Sequence, residues 1–186
     1  MRTPRLLLRS WRDTDYPTFA AMCADPVVMR YFVAPLQPDD SIEWARQRQA
    51  EIAETGWGLW AVEVTDVADF IGFVGIWNNP TLVAVEVGWR LDRPYWGFGY
   101  ATEAATAALG FGFDTLGLSE IQSCTAVLNT PSVRVMQRLG MTHDPSDDFL
   151  HPRVPAGHPL QPHVLYRLTI ERWRTAQAVT TQPDAL

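Results

Sequence analysis

A mixed α/β (α+β) fold, with a mostly antiparallel sheet and helices packed against it, is what the order of apolar runs in this chain predicts. Three observations carry it. The runs GLWAVEV, DFIGFVGIW and LVAVEVGWRL, at 58–64, 69–77 and 82–91, are rich in Val, Ile, Trp and Phe, as half-buried strands are. Only short turn segments with Asp66, Asp69, Asn78, Asn79 and Pro80 part them, which favours consecutive antiparallel pairing. At 186 residues, 47% hydrophobic and 11% aromatic, the chain is long enough for one sizeable core and short for two. No internal repeat or linker divides it, so 1–186 reads as a single domain.

The elements follow in order. Thr3 to Trp11 reads as a first strand and Thr14 to Ala24 as a helix stopped at Asp25 and Pro26. A second helix runs from Asp39 to Glu54, with Ser41, Ile42, Trp44 and Ala45 near its start and Gly56 past its end. After the three strands a helix from Gly99 to about Leu116 is expected, then the strand IQSCTAVL and the short helix PSVRVMQRL. A stretch with Pro145, Pro152, Pro155, Pro159 and Pro162 leads into the last strand, HVLYRLTI, and residues from about 171 to 186 are expected as a partly flexible tail.

Fifteen basic against twenty-one acidic residues give a net charge of −6, which argues against a phosphate-backbone footprint and hence against nucleic-acid partners. Cys23 and Cys124 have no second cysteine at ligand spacing and read as reduced core residues of a cytoplasmic protein. The first apolar run, three leucines, is too short for a signal peptide or a membrane span.

The stretch WGFGYATEA, 96–104, raises the functional question. Two glycines one residue apart stand before strong helix formers. The first amides of a helix have no intrahelical acceptor and their dipole favours a negative group. Removing side chains there makes a phosphate cradle; an ordinary glycine turn before an ordinary helix is the plainer alternative. A Walker loop requires Lys and Ser or Thr after its last glycine, where Tyr100 and Ala101 stand. A dinucleotide fingerprint requires a third glycine where Thr102 stands.

The run VEVGWRLDRPYWGFGYATEA resembles the central motif of the GNAT superfamily of N-acetyltransferases, in the form of its RimJ/RimL-like branch. LNTPSVRVMQRLGM and the opening TPRLLLRSWRDTDYPTF are similar to that branch as well, and together they cover most of residues 1–141. The resemblance implies the GNAT fold, with a splayed central strand pair and helices on both faces, and acetyl-CoA as cosubstrate without a metal. The family's pyrophosphate frame falls on Trp96, Gly97, Phe98, Gly99, Tyr100 and Ala101, with amides from Phe98 to Thr102 facing the anion. Its first position is more often Gln or Arg, although tryptophan is usual in this branch. The strand carrying Glu86 to Leu91 is implied to splay from IQSCTAVL so that the pantetheine arm pairs in the gap, past Gly88, Trp89 and Leu91. Asn129 matches the asparagine that holds the cofactor arm, with Ser132 three residues on; a simple cap before Thr130 and Pro131 is the alternative for Asn129.

Acetyl transfer from a thioester requires a neutral amine, a polarised carbonyl and a proton for the departing thiolate. At pH 7 a lysine-like amine is neutral about once in two thousand molecules and an α-amine about one time in ten. Direct attack in a ternary complex then needs mainly positioning. Glu86, a lone carboxylate among apolar residues, is the candidate base, working through a water; fixing a neighbouring backbone or arginine is its alternative role. Glu103, in a first helical turn, reads rather as a capping or dipole partner. Many family members carry a tyrosine acid where Met136 stands, which points to Ser132 or to solvent as the proton donor.

His151, His158 and His163 do not match a zinc signature. Their loop is expected to cover the acceptor cleft, with Asp147, Asp148 and His151 meeting a cationic amine and Trp57 and Trp60 as further walls. The acceptor is a primary amine, a protein N-terminus or a small molecule, and homodimerisation is compatible with the sequence. Two alternatives of other classes are a catalytically silent acyl-CoA-binding module, which the missing tyrosine leaves open, and a nucleotide-binding oxidoreductase, which would bind NAD instead.

Overall fold

The computed structural model describes residues 1–82 and 84–180. Strand β1 is Leu6–Arg9, shorter than expected because Thr3 N–H turns back to Leu6 O at 2.9 Å. Helix α1, Tyr16–Ala24, carries Pro17 in its first turn, where the missing N–H costs nothing. Helix α2, Pro38–Thr55, ends as read: Gly56 takes the left-handed conformation, φ 82°, and its N–H bonds Ile52 O at 2.9 Å.

The three predicted strands form β2 (Leu59–Val64), β3 (Ala68–Asn79) and β4 (Ala84–Leu91), paired antiparallel; Val83 of the expected third strand lies outside the described residues. Gly75 in β3 is there for close approach, since a Cβ on it would lie 2.0 Å from Gly58 O. Helix α3, Tyr100–Gly110, widens into a π turn over Phe111–Thr115, closed by Leu116 N–H on Phe111 O at 3.1 Å. This seats Phe113 in the core, stacked on Trp173 at 5.7 Å.

Strand β5 is Glu120–Ala126 and helix α4 Thr130–Arg138. The proline-rich stretch holds two short strands, β6 (Thr142–His143) and β7 (Phe149–Leu150), both paired with β8, Pro162–Thr169. Residues 170–180, most of them assigned to a tail from the sequence, form helix α5, Ile170–Thr180, because Trp173 buries its indole against Phe113. The remainder of that tail, 181–186, lies outside the described residues.

The sheet order is β1-β2-β3-β4-β5-β8-β6, antiparallel at every junction except β4 with β5. Helices cover both faces, as predicted. On one, Phe73 joins Trp11, Phe19 and Trp44 of the α1–α2 side in an aromatic cluster with centroid distances of 4.9 to 6.2 Å. Each such side chain contributes roughly 1.5–3 kcal/mol on burial. On the other, Ala104, Ala105 and Ala108 are fully buried at helical spacing, and these small side chains let α3 sit close on β3 and β4.

At the start of α1 a buried ion pair ties strand to helix. Asp15, 2% exposed, receives Arg9 Nη1 at 2.7 Å and Nη2 at 2.9 Å, and Arg9 Nε also reaches Glu63 at 3.1 Å.

Candidate active site

The parallel junction is where the sheet opens. Among the described residues β4 and β5 pair only at Glu86 and Gln122, and beyond that rung the strands part, as the expected splay requires. The Cys124 N–H, which a continuous ladder would give to β4 backbone, goes instead to Glu86 Oε1 at 3.2 Å. A buried amide must find an acceptor, so the carboxylate works as a wedge that satisfies the strand it holds apart.

Glu86 is buried and all its lone pairs are engaged. Oε2 accepts from Trp77 Nε1 at 3.0 Å and Asn79 Nδ2 at 2.6 Å, and Oε1 accepts from Cys124 N–H and, at 3.5 Å, from the Cys124 thiol. Burial drives the Glu86 pKa above the ordinary value of 4.5, and these hydrogen bonds only partly offset it. The Cys124 thiol is pushed up in turn by burial and by the Glu86 charge. Trp77, Asn79 and Cys124 escaped the sequence reading. The signal for the first two was available: in an antiparallel hairpin turning at Pro80, Trp77 falls opposite Glu86, with Asn79 two residues on along the same face.

The face alternates along β4. Glu86 stands opposite Trp77 and Gly88 opposite Gly75, on the α1–α2 side; Trp89 stands opposite Val74 and points to α4. A Cβ on Gly88 would meet nothing closer than 3.9 Å, so the strand is bare and open on its α1–α2 face at this position. Leu91 is buried, and its carbonyl accepts Trp96 Nε1 at 2.7 Å. Trp96 therefore pins the turn at 93–95 that aims the glycine loop.

In that loop Gly97 and Gly99 have φ 84° and 81°, a region costly for other residues. The first amide of α3 with an intrahelical acceptor is Glu103 N–H, on Gly99 O at 3.0 Å. Amides from Phe98 to Thr102 precede it, and a Cβ at Gly97 would enter open space. The backbone is thus a cradle with room for an anion. Phe98, exposed, stacks on Tyr100 at 5.7 Å, and Ala101 is partly buried against the core. Glu103 turns away from the cradle: it accepts Thr3 Oγ1 at 2.6 Å and Arg5 Nε at 2.6 Å, fastening the N-terminal segment to α3.

Across the gap Asn129 caps α4. Its Oδ1 accepts Ser132 N–H at 3.3 Å, and its Nδ2 donates to Thr125 Oγ1 at 2.9 Å and Ser132 Oγ at 3.0 Å. Ser132 Oγ also accepts Trp89 Nε1 at 3.3 Å. Both hydroxyl lone pairs are filled, and the O–H proton remains to donate. Met136 is buried in the core.

The loop between β6 and β8 differs from its sequence reading. Asp147 pairs with Arg167 Nε at 2.8 Å and Asp148 with His143 Nε2 at 2.7 Å, so each carboxylate already has a partner within this chain through one of its oxygens. His151 packs on His163 with centroids 4.7 Å apart, and burial holds both rings below the ordinary histidine pKa. Arg153 Nη2 crosses to Thr81 Oγ1 at 2.9 Å, linking this loop to the β3–β4 turn. Trp60 is core, edge-on to Phe111, rather than a cleft wall. Among the described residues no helix is long and apolar enough to cross a membrane.

Residues 5–142 match the acetyltransferase (GNAT) domain family. The chain is 33% identical over 144 residues to the uncharacterized protein YkkB of Bacillus subtilis (strain 168), covering 75% of this chain and 83% of that protein. It is 27% identical over 172 residues to the uncharacterized N-acetyltransferase YnaD of the same organism, covering 92% and 97%. The crystal structure of a GNAT-family acetyltransferase from Bacillus anthracis superposes with a TM-score of 0.78 at 25% identity, over 92% of this chain and 98% of that one. The matched segment runs through the splayed strands, the glycine cradle and the Asn129 cap, and with them the chain belongs to the GNAT acetyltransferase family.

Proposed function

We propose that this protein is an acetyl-CoA-dependent N-acetyltransferase of the RimJ/RimL-like branch, transferring acetyl to a primary amine by direct attack in a ternary complex in the cytoplasm. The single observation that carries the reading is the seam: β4 and β5 share one rung, with an anion cradle at one side and the Ser132 hydroxyl at the other. Bound there, acetyl-CoA supplies a thioester as the acyl donor.

The residues divide the work. Amides from Phe98 to Thr102 hold the pyrophosphate, with Trp96 fixing the loop. The backbone of Gly88 and Trp89 on one strand and Asn129 at the end of the other would hold the pantetheine arm. Glu86, whose pKa burial raises above the ordinary carboxylate value and so makes it a stronger base when ionised, takes a proton from the amine through a water that displaces the long Cys124 thiol contact. Ser132, with its lone pairs filled by Trp89 and Asn129, gives its proton to the departing sulfur.

Thiol release over a panel of amines tests the activity, and its absence with every amine would leave the silent acyl-CoA-binding module. That second reading draws support from the fully engaged Glu86 carboxylate and from Met136. Two variants resolve the parts. Ser132→Ala removes one proton donor and leaves the backbone cap, so kcat falls by about 10²-fold with little change in the Kd for CoA. Gly99→Val forces a β-branched residue into the left-handed region at a cost of about 1–2 kcal/mol. If the cradle meets the strain by turning its amides, CoA affinity in calorimetry falls about tenfold.

A further inference from the structure

Arg90 lies on β4 two residues and about 7 Å past Gly88, on the same face as Glu86, from which it stands about 13 Å along the strand. Four arginines are shielded from full solvent contact. Arg9, Arg48 and Arg167 each meet a carboxylate, whereas Arg90 forms no ion pair among the described residues.

Its surroundings do not replace the missing charge. Nη1 donates to Cys23 Sγ at 3.1 Å, and Nε is shut away from solvent without a hydrogen-bond partner. The guanidinium lies 4.2 Å from the Phe32 ring centroid and 5.5 Å from that of Phe73. The Cys23 thiol is pushed up by burial, so it offers no anion. Burial also lowers the Arg90 pKa, the mark of a cation whose solvation has been removed and not made good. A shielded cation is stable when paired, and a guanidinium can offer a carboxylate two parallel bonds from one edge. Phe32, 44% exposed in the segment between α1 and α2, is an outer wall of this place.

Resting on the acetyltransferase reading, we propose that Arg90 is a specificity residue for the acceptor: the amine that this enzyme acetylates also carries a carboxylate, which Arg90 binds while the amine stands at Gly88 and Glu86. The acceptor is then amino-acid-like, and polyamines, cationic throughout, are disfavoured by the same charge.

The test is thiol release with matched pairs, α-amino acids against their carboxamides, together with spermidine, for the wild type, Arg90→Gln and Arg90→Lys. The wild type is expected to prefer the carboxylate member of a pair. Arg90→Gln loses about 10²-fold in kcat/KM for it, as removal of one partner of a shielded charge pair does. Activity on the carboxamide stays within about threefold, and Arg90→Lys, which keeps the charge and loses the fork, falls between. The KM for acetyl-CoA stays unchanged in both variants. Equal wild-type turnover of acid and amide, or equal losses on both in Arg90→Gln, would overturn the proposal and leave the acetyltransferase reading standing. If no amine releases thiol, that reading itself fails. The Arg90 assignment is then decided by thermal shift: stabilisation by the amino acid and not its amide, lost in Arg90→Gln, supports it, and no difference overturns it.

Discussion

Glu86→Gln is expected to lower kcat by about 10²- to 10⁴-fold, the range for loss of a general base. The pH profile separates catalysis from structure. Base catalysis needs the ionised form, so the wild-type rate rises with pH through a limb set by Glu86. Burial raises that pKa, so the limb lies above 4.5. In Glu86→Gln that limb is absent, and the residual rate keeps only the rise set by deprotonation of the acceptor amine itself. Stability carries the opposite sign. Between the ordinary and raised values the folded state holds a proton that the unfolded state has lost, so this group's contribution is largest at low pH. It declines as pH rises through the folded-state value. Thiol-release rates across pH, with CoA binding measured alongside, check both. A variant that retains its limb and a rate within about threefold would reduce Glu86 to the wedge between β4 and β5.

Asp15→Ala should cost about 3–5 kcal/mol of folding free energy, because it strands the Arg9 cation in a setting that is nearly closed to water. Glu63 remains 3.1 Å from Arg9 Nε and places the loss toward the lower end. For a chain of this size that corresponds to a fall in Tm of about 10 °C. Replacing both partners with apolar residues of similar size should cost less than the single change, since no charge is left behind. Thermal unfolding of the wild type and the two variants decides it, and a single-variant loss under about 1 kcal/mol would show that the pair is solvated in solution.

Arg9 with Asp15 was not legible from spacing, and Glu86 with Asn79 was legible only through the register of the hairpin that turns at Pro80. Alternation tells which face of a strand a residue occupies, but partners arrive through cross-strand register and through elements far along the chain. Local signals fared better. Gly56 as a helix stop, the glycine cradle before α3 and the Asn129 cap each depend on backbone conformation within a few residues, and each stands where the sequence put it. The partners of Asp147 and Asp148 were not read either: the pairing of β6 with β8 brings Arg167 to Asp147, and His143 of β6 meets Asp148 five residues on. The π turn at Phe111–Thr115 and helix α5 likewise answer to tertiary packing around Phe113 and Trp173.

The single rung between β4 and β5 also divides the protein into two leaves. Strands β1 to β4 form one closed ladder and β5, β8 and β6 another. The side chains around Arg90, from α1, β3 and the segment between α1 and α2, belong to the first leaf, whereas the cap on α4 belongs to the second. Substitutions around Arg90 therefore leave Asn129 and its hydrogen bonds in the second leaf untouched, and Trp89 of β4 on Ser132 is the side chain through which the first leaf still reaches the α4 cap.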